Sequence, residues 1–324
     1  MKRFIIRTLC ILLPFWGIIV TYIICDPLRV IWNYDDYIKY PARNVAYNSY
    51  KMLTKDDTTI YNSFIVGSSR SGYWPCQVWE KYLEHNAETF HLESSGDGLY
   101  NALERLSFIY SYVGKVSNIL LIVDEDWLRK DYHHTGIQFR TPWQMRKNKD
   151  YLAFQMDAFR FYFSKDGFKE VHHIGQKFKY VLPSERDERC ENHNKIKECL
   201  IDNIPTYYYS SISPVIYKNP CYPRDSIEQI GEPVITEKGV ELLSQIHQLF
   251  VNGNTNYKIV VSPLYNQRKL NPADKSVLDG IFGAENVYDY SGINKYTADS
   301  LNYFESSHYR PRVAAQILEE IYAH

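Results

Sequence analysis

Continuous apolar runs constrain the fold of this chain more than any other feature. The strongest are Ser63–Val66, Asn118–Val123 and Tyr257–Val261, and weaker candidates lie at Thr89–Leu92 and Val287–Tyr288. Runs rich in β-branched residues, without polar alternation, are typical of parallel strands that are covered on both faces. The sequence therefore predicts a central parallel sheet.

Helical patterns separate these runs. Apolar residues recur at helical spacing in Ala102–Val113, and Thr236–Phe250 begins with a threonine suited to capping a helix. A closing helix is indicated by Val313, Ile317 and Ile321, which repeat at four-residue steps. Strands that alternate with helices predict the α/β class, as a three-layer α/β/α sandwich.

The N-terminus predicts a membrane anchor. Thr8–Cys25 is uncharged over 18 residues, at the threshold for a spanning helix. Lys2, Arg3 and Arg7 precede it and Asp26 follows, which favours a cytoplasmic N-terminus and an extracytoplasmic globular part. We interpret the segment as a single-pass anchor.

Three alternatives compete with the uncleaved anchor. A cleavable signal peptide would need a small-x-small site after the run, and none follows. A lipoprotein centred on Cys25 would need a small residue in place of Ile24. The third alternative is a cytoplasmic enzyme whose N-terminus is merely apolar.

Composition shifts divide the chain into three parts. Residues 1–25 form the anchor, and 26–57 form a polar, tyrosine-rich stalk or helical lead-in. Residues 58–324 form the α/β domain, with an insertion at about 129–233 that shows no convincing core strand. A stretch of that length is too long for an ordinary connection, so we expect helices and ordered loops there.

Charge and cysteine content narrow the class of protein. The formal net charge of -1 gives no electrostatic basis for binding nucleic acid. Outside the anchor, Cys76, Cys190, Cys199 and Cys221 allow two disulfides, with Cys190 and Cys199 the favoured pair, or four free thiols. No Cys-x-x-Cys spacing supports zinc, and we predict neither a metal nor a cofactor.

Two short segments carry candidate chemistry. Gly67-Ser68-Ser69-Arg70 follows the first strong strand, where ligands bind in open α/β sheets. Glu305-Ser306-Ser307-His308 precedes the last helix, and an acid near a histidine can orient its imidazole for use as a base. Alone, either segment could be an ordinary turn or a surface loop; together they favour a Ser-His site.

These segments resemble the blocks of the SGNH or GDSL-type esterases and acyltransferases. Gly67-Ser68-Ser69 is similar to the Gly-Asp-Ser block, and Glu305-Ser306-Ser307-His308 to the Asp-x-x-His block. The resemblance implies a flavodoxin-like sheet, Ser69 as nucleophile, His308 as base and Glu305 as its orienting acid. It covers the globular part from about Ser63 onward, apart from the insertion.

The resemblance also implies an oxyanion hole. Ser94-Ser95-Gly96-Asp97 nominates Gly96, together with the Ser69 backbone amide. The family's next block supplies an Asn, whereas this chain has Val123-Asp124-Glu125-Asp126. A carboxylate such as Asp126 donates a hydrogen bond only when it is protonated, so its place in the hole is doubtful. Arg70 is a candidate for binding an anionic substrate, or for pairing with Asp126 or Glu305.

Two functions follow as expectations. The Ser-Ser variant of the first block resembles that of the membrane-anchored D-alanine transfer protein and of polysaccharide O-acetyltransferases. That branch implies an anchored serine esterase or O-acyltransferase that acts on acyl groups, acetyl above all, of cell-envelope polysaccharide. Its implied partners are a carbohydrate or acyl-ester substrate, the membrane and a membrane-bound O-acyltransferase. The alternative is a catalytically inactive scaffold or glycan-binding protein of the envelope.

Overall fold

The computed structural model describes residues 1–28, 30–32, 50, 53–54, 61–94, 96–133, 141–147, 150–171, 227–305 and 307–322. For residues 2–11, 93, 169–171, 304 and 305 only the backbone is described. The predicted cysteine pair Cys190–Cys199, and Cys221, lie outside these residues. So does most of the predicted stalk.

Five parallel strands form the central sheet of the described chain, in the order β2-β1-β3-β4-β5. They are β1 (Ser63–Gly67), β2 (Thr89–Glu93), β3 (Asn118–Val123), β4 (Asn256–Val261) and β5 (Val287–Asp289). The predicted parallel sheet is therefore confirmed, and all five predicted runs lie in it. Strand β1 is central, paired with β2 on one side and β3 on the other.

Helices flank this sheet. The helices of the described chain are α1 (Lys2–Cys25), α2 (Cys76–Glu80), α3 (Leu99–Tyr112), α4 (Glu125–Leu128), α5 (Tyr151–Tyr162), α6 (Lys165–Val171), α7 (Glu237–Asn252), α8 (Pro272–Phe282), α9 (Lys295–Ala298) and α10 (Pro311–Tyr322). Thr236 caps α7 as predicted, because its side chain accepts a hydrogen bond from the Gly239 amide at 3.0 Å.

Successive residues of each strand point to opposite faces and feed two separate cores. On β1, Phe64 and Val66 join the core beneath α3, α7 and α8, whereas Ile65 joins the core beneath α2 and α10. Strands β3 and β4 divide their side chains in the same way. Burial on both faces explains why these strands read as continuous apolar runs in the sequence.

The segment before α10 differs from the expected loop. It forms a short antiparallel hairpin of β6 (Tyr303–Glu305) and β7 (His308–Tyr309). Just beyond the two strands, the Arg310 amide donates a hydrogen bond to the Asn302 carbonyl at 2.8 Å, which holds the open end of the hairpin together. Strands of two or three residues are too short to show an alternating pattern, which is why the sequence did not indicate them.

The N-terminal helix packs against the insertion. The Tyr22 ring of α1 lies 5.0 Å from Phe159 and 5.3 Å from Tyr162 of α5, measured between ring centroids. In the described parts of the insertion the regular structure is helical, apart from one bridge between Ile230 and Lys269. Within the residues whose side chains are placed, no helix combines the length and apolarity of a membrane span.

Candidate active site

Ser69 and His308, 239 residues apart, meet at the carboxyl end of the sheet. The Ser69 Oγ lies 2.8 Å from the His308 Nε2, a normal hydrogen-bond distance. Ser69 begins a 3-10 turn directly after β1, and His308 begins β7 of the hairpin. Both side chains are half-buried. A hydroxyl bonded to an imidazole nitrogen is the arrangement that activates a serine nucleophile.

Gly67 allows the turn that carries Ser69 to sit close to the sheet. A Cβ at this position would lie 2.7 Å from the Ile122 carbonyl oxygen and 2.8 Å from the Ser71 Cβ. Both neighbours belong to fixed backbone or to a buried residue, so the chain cannot easily move aside. Position 67 therefore requires a glycine, because only a residue without a side chain lets the backbone approach these neighbours so closely.

Arg70 ties the two halves of the site together. Its Nε donates to the Ser307 carbonyl at 3.0 Å, and one of its terminal nitrogens lies 2.7 Å from a carboxylate oxygen of Asp124. Although burial opposes the charged form, the carboxylates of Asp124 and Asp126 raise the pKa of Arg70 above its ordinary value. The guanidinium thus links the Ser69 turn, the His308 hairpin and the end of β3.

Asp124, rather than Asp126, is the acid enclosed at this site. Asp124 is 2% exposed and also caps α4 by accepting from the Trp127 amide at 3.0 Å. Asp126 is 66% exposed, and its carboxylate lies 3.6 Å from Arg70. The sequence suggested an ion pair between Arg70 and Asp126 but did not indicate Asp124 as the main partner of Arg70. That pairing depends on where β1 and β3 end.

The turn that carries Gly96 is held by Lys130, which follows α4, and by Arg105 of α3. Gly96 has a φ of 72°, a left-handed conformation that favours glycine. Its carbonyl accepts from the Lys130 Nζ at 3.1 Å. Asp97 forms a fully buried ion pair with Arg105. Burial raises the pKa of Asp97, and Arg105 opposes that rise. The predicted oxyanion glycine thus lies in a fixed turn.

A second Ser-His contact lies deeper in the domain. The Ser71 Oγ donates to the Ser68 carbonyl at 2.7 Å and lies 3.0 Å from the His91 Nε2. Both Ser71 and His91 are buried, so this contact joins the Ser69 turn to β2 away from solvent. Ser68 itself is almost fully buried. Of the serines in this segment, Ser69 is the one placed against a half-buried histidine.

Tyr309 anchors the histidine hairpin from below. Its hydroxyl accepts from the Trp74 Nε1 at 2.7 Å and lies 3.4 Å from the Ser262 Oγ. Burial raises the pKa of Tyr309 to about 12, so the hydroxyl stays protonated at neutral pH. In the sequence, the position of Tyr309 next to His308 is the one signal that could have indicated this role.

The remaining candidates have simpler placements. The backbone of Glu305 pairs with His308 across the hairpin, and its side chain lies outside the described atoms. Cys76 is buried, and burial raises the pKa of its thiol to about 12. Within the portion of the chain that is described, no group of three or more His, Cys, Asp or Glu side chains could hold a metal ion.

No protein-family model matches the chain, and no curated protein is significantly similar to it.

Proposed function

We propose that this chain is a membrane-anchored, extracytoplasmic serine esterase or O-acyltransferase that acts on acyl groups of cell-envelope polysaccharide. The observation that carries the proposal is the 2.8 Å contact between the Ser69 Oγ and the His308 Nε2 at the carboxyl ends of parallel strands. The strand order β2-β1-β3-β4-β5 supports a doubly wound, flavodoxin-like sandwich of the SGNH type.

Acyl transfer would proceed in two steps. The Ser69 Oγ attacks the acyl carbonyl while His308 Nε2 takes its proton, and the tetrahedral intermediate collapses to an acyl-serine as His308 returns that proton to the departing alcohol. Water or a second hydroxyl then attacks the acyl-serine while His308 takes its proton, and collapse of the second intermediate breaks the bond between the acyl group and the Ser69 Oγ as His308 returns the proton to that oxygen. The first acceptor gives an esterase and the second a transferase.

The oxyanion would be stabilised by backbone groups. The Ser69 amide follows the extended Ser68 at the start of a 3-10 turn, and Gly96 lies in a turn braced by Lys130. Preorganised amides of this kind stabilise charge that develops in the transition state. Asp124 and Asp126, both bound to Arg70, would act by holding that guanidinium rather than as donors.

Exposed apolar side chains support the membrane part of the proposal. On α1 they include Leu13, Phe15 and Trp16, and on the adjoining α5 Leu152 and Met156 are exposed. Along α1 alone the exposed apolar side chains run from Leu12 to Ile24, and apolar surface of this extent typically meets a membrane or a partner protein. Retention of the chain in alkali-washed membranes, with the domain accessible to protease from outside, is the expected result. Release by alkali would refute the anchor.

A fluorophosphonate probe tests the chemistry. It should label the full-length wild-type chain at one serine, identified by mass spectrometry as Ser69, and the Ser69→Ala and His308→Gln variants should lose the label. The matched control is Ser68→Ala, which removes the neighbouring hydroxyl and should keep it.

Two outcomes would contradict this assignment. Undiminished labelling of Ser69→Ala would exclude Ser69 as the nucleophile. A folded wild type that takes no label and hydrolyses no activated ester would instead favour the inactive envelope scaffold or glycan-binding protein. Circular dichroism of each variant distinguishes loss of chemistry from loss of fold.

A further inference from the structure

Helix α5 of the insertion carries an apolar stripe on its outer side. The stripe comprises Leu152, Met156 and Phe159 of α5 and Phe163, which directly follows the helix. Spacings of four, three and four residues place these side chains on one side of a helix. Three of the four are more than half exposed, and Leu152 is 74% exposed. The opposite side of α5 is packed, since Phe154 and Ala158 are buried there.

The stripe adjoins the C-terminal end of α1. The Tyr22 ring, near that end, lies 5.0 Å from the ring of Phe159 between centroids. Just beyond α1, the Gln155 side chain of α5 donates to the Val30 carbonyl at 2.8 Å. In the proposed function α1 crosses the bilayer, so the stripe lies at the height where α1 leaves it.

The aromatic residues at this height suit a membrane–water boundary. Trp32 is 50% exposed, and its Nε1 donates to the Ile23 carbonyl at 2.7 Å, which places the indole beside the last turn of α1. Trp and Tyr are enriched at such boundaries, because their rings are apolar and their N–H or O–H is polar. Exposed apolar residues also occur on all sides of α1 from Leu12 to Ile24. Lipid covers every side of a helix, whereas a second protein chain covers one.

The charged groups beside the stripe occur in pairs of opposite sign. Arg160 lies 3.9 Å from Asp157, and the exposed Lys165 and Asp166 are adjacent in the chain. The neighbourhood therefore has no excess of positive charge that would select anionic lipids. A contact with lipid would depend on the apolar area that it buries.

The insertion also joins α5 to the α/β domain. The Arg146 guanidinium lies over the Phe154 ring of α5, 4.5 Å from its centroid. The following amide, that of Lys147, donates to the Glu104 carboxylate of α3 at 3.2 Å. Met145 is buried in the core beneath α3. A contact between α5 and a membrane would therefore restrict how the domain tilts on α1.

We propose that the stripe of α5 lies in the interfacial layer of the bilayer that α1 enters, as a second membrane contact that fixes the orientation of the α/β domain. This inference rests on the membrane anchor of the proposed function. It gives the insertion a role as the link between the lipid surface and α3.

Photolabelling by lipid tests the contact in the full-length chain. The purified protein is reconstituted alone into vesicles of phosphatidylcholine, part of which carries a diazirine near the upper end of one acyl chain. Crosslinked peptides are identified by mass spectrometry. We expect label in α1 and in residues 151–163. The α7 peptide that contains Val251 is the internal control, because Val251 is 56% exposed and α7 packs against α3 and α8. It should take about fivefold less label than α5.

Glutamate variants locate the contact. The Leu152→Glu/Met156→Glu double variant should take about fivefold less label in α5, because a carboxylate is unfavourable in the apolar layer, while the label in α1 stays unchanged. Both side chains are exposed, so the fold should persist, as circular dichroism can verify. The matched control is Val251→Glu, which makes the same kind of change outside the stripe and should keep the wild-type label in α5.

The outcomes separate this inference from the anchor. Label in α1 but not in α5, or equal label of α5 in the wild type and the double variant, would overturn the second contact and retain the anchor. The vesicles hold this chain alone, so a stripe that a second copy covers would stay unlabelled and count against the contact. Absence of label from both α1 and α5 would refute the anchor as well.

Discussion

The Asp124→Asn substitution tests how the buried ion pair holds the candidate site. The change removes the charge that faces Arg70 at 2.7 Å but keeps an oxygen that can accept from the Trp127 amide. The helix cap is therefore preserved. Any loss reports on the ion pair, since Arg70 is 14% exposed and Asp124 only 2%.

The size of the loss follows from burial. With an effective dielectric constant of about 20, charges 2.7 Å apart attract by about 6 kcal/mol before desolvation is subtracted. Removing one partner of a buried pair costs about 3 to 5 kcal/mol. Asp126 remains near Arg70 and offsets part of that loss. We therefore expect the free energy of unfolding to fall by about 3 kcal/mol.

Asp126→Asn is the matched control, because it makes the same chemical change against the same arginine in an exposed position. It should cost about 0.5 kcal/mol. Urea unfolding of the full-length chain in detergent, followed by tryptophan fluorescence at neutral pH, measures both variants. Equal losses in the two variants would refute the assignment of Asp124 as the structural partner. Slower fluorophosphonate labelling in Asp124→Asn would further link the pair to the site.

Two other predictions concern buried polar groups. Tyr309→Phe leaves the buried Trp74 N–H without its acceptor, so the free energy of unfolding measured in urea should fall by about 2 kcal/mol. In a Trp74→Phe/Tyr309→Phe double variant, a fall equal to the sum of the two single falls would contradict this hydrogen bond. Burial raises the pKa of Glu104, so wild-type stability carries a penalty that grows as pH rises above the ordinary glutamate range. The unfolding free energy of Glu104→Gln relative to wild type should therefore increase from pH 4 to pH 8, and a flat difference would count against it.

The sheet was predictable because its signal is local. Strand β3 is buried on both of its faces, so its residues Ile119 to Val123 form one apolar run in the sequence. The role of Thr236 as a helix cap was predictable for the same reason, since a cap depends on residues only three positions apart. These features need no knowledge of the tertiary fold.

The site was predictable only in part. Ser69 and His308 were nominated by their positions after a strand and before a helix, and the structure places them in contact. The partner of Arg70 could not be read from the sequence, because Asp124 is brought to it by the pairing of β1 with β3. The polar cleft beside Arg70 is likewise lined by residues that are distant in the sequence, among them Arg129 and Arg268, and no local pattern connects them.

The tight packing around Gly67 has an evolutionary consequence. Even an alanine there would place a carbon 2.7 Å from the Ile122 carbonyl oxygen, so the fold itself selects against every side chain at this position. Ser69 is under no such structural demand. The proposed acyl transfer then predicts that related chains without this activity keep the glycine while the residue at position 69 varies, and that related chains with the activity keep both.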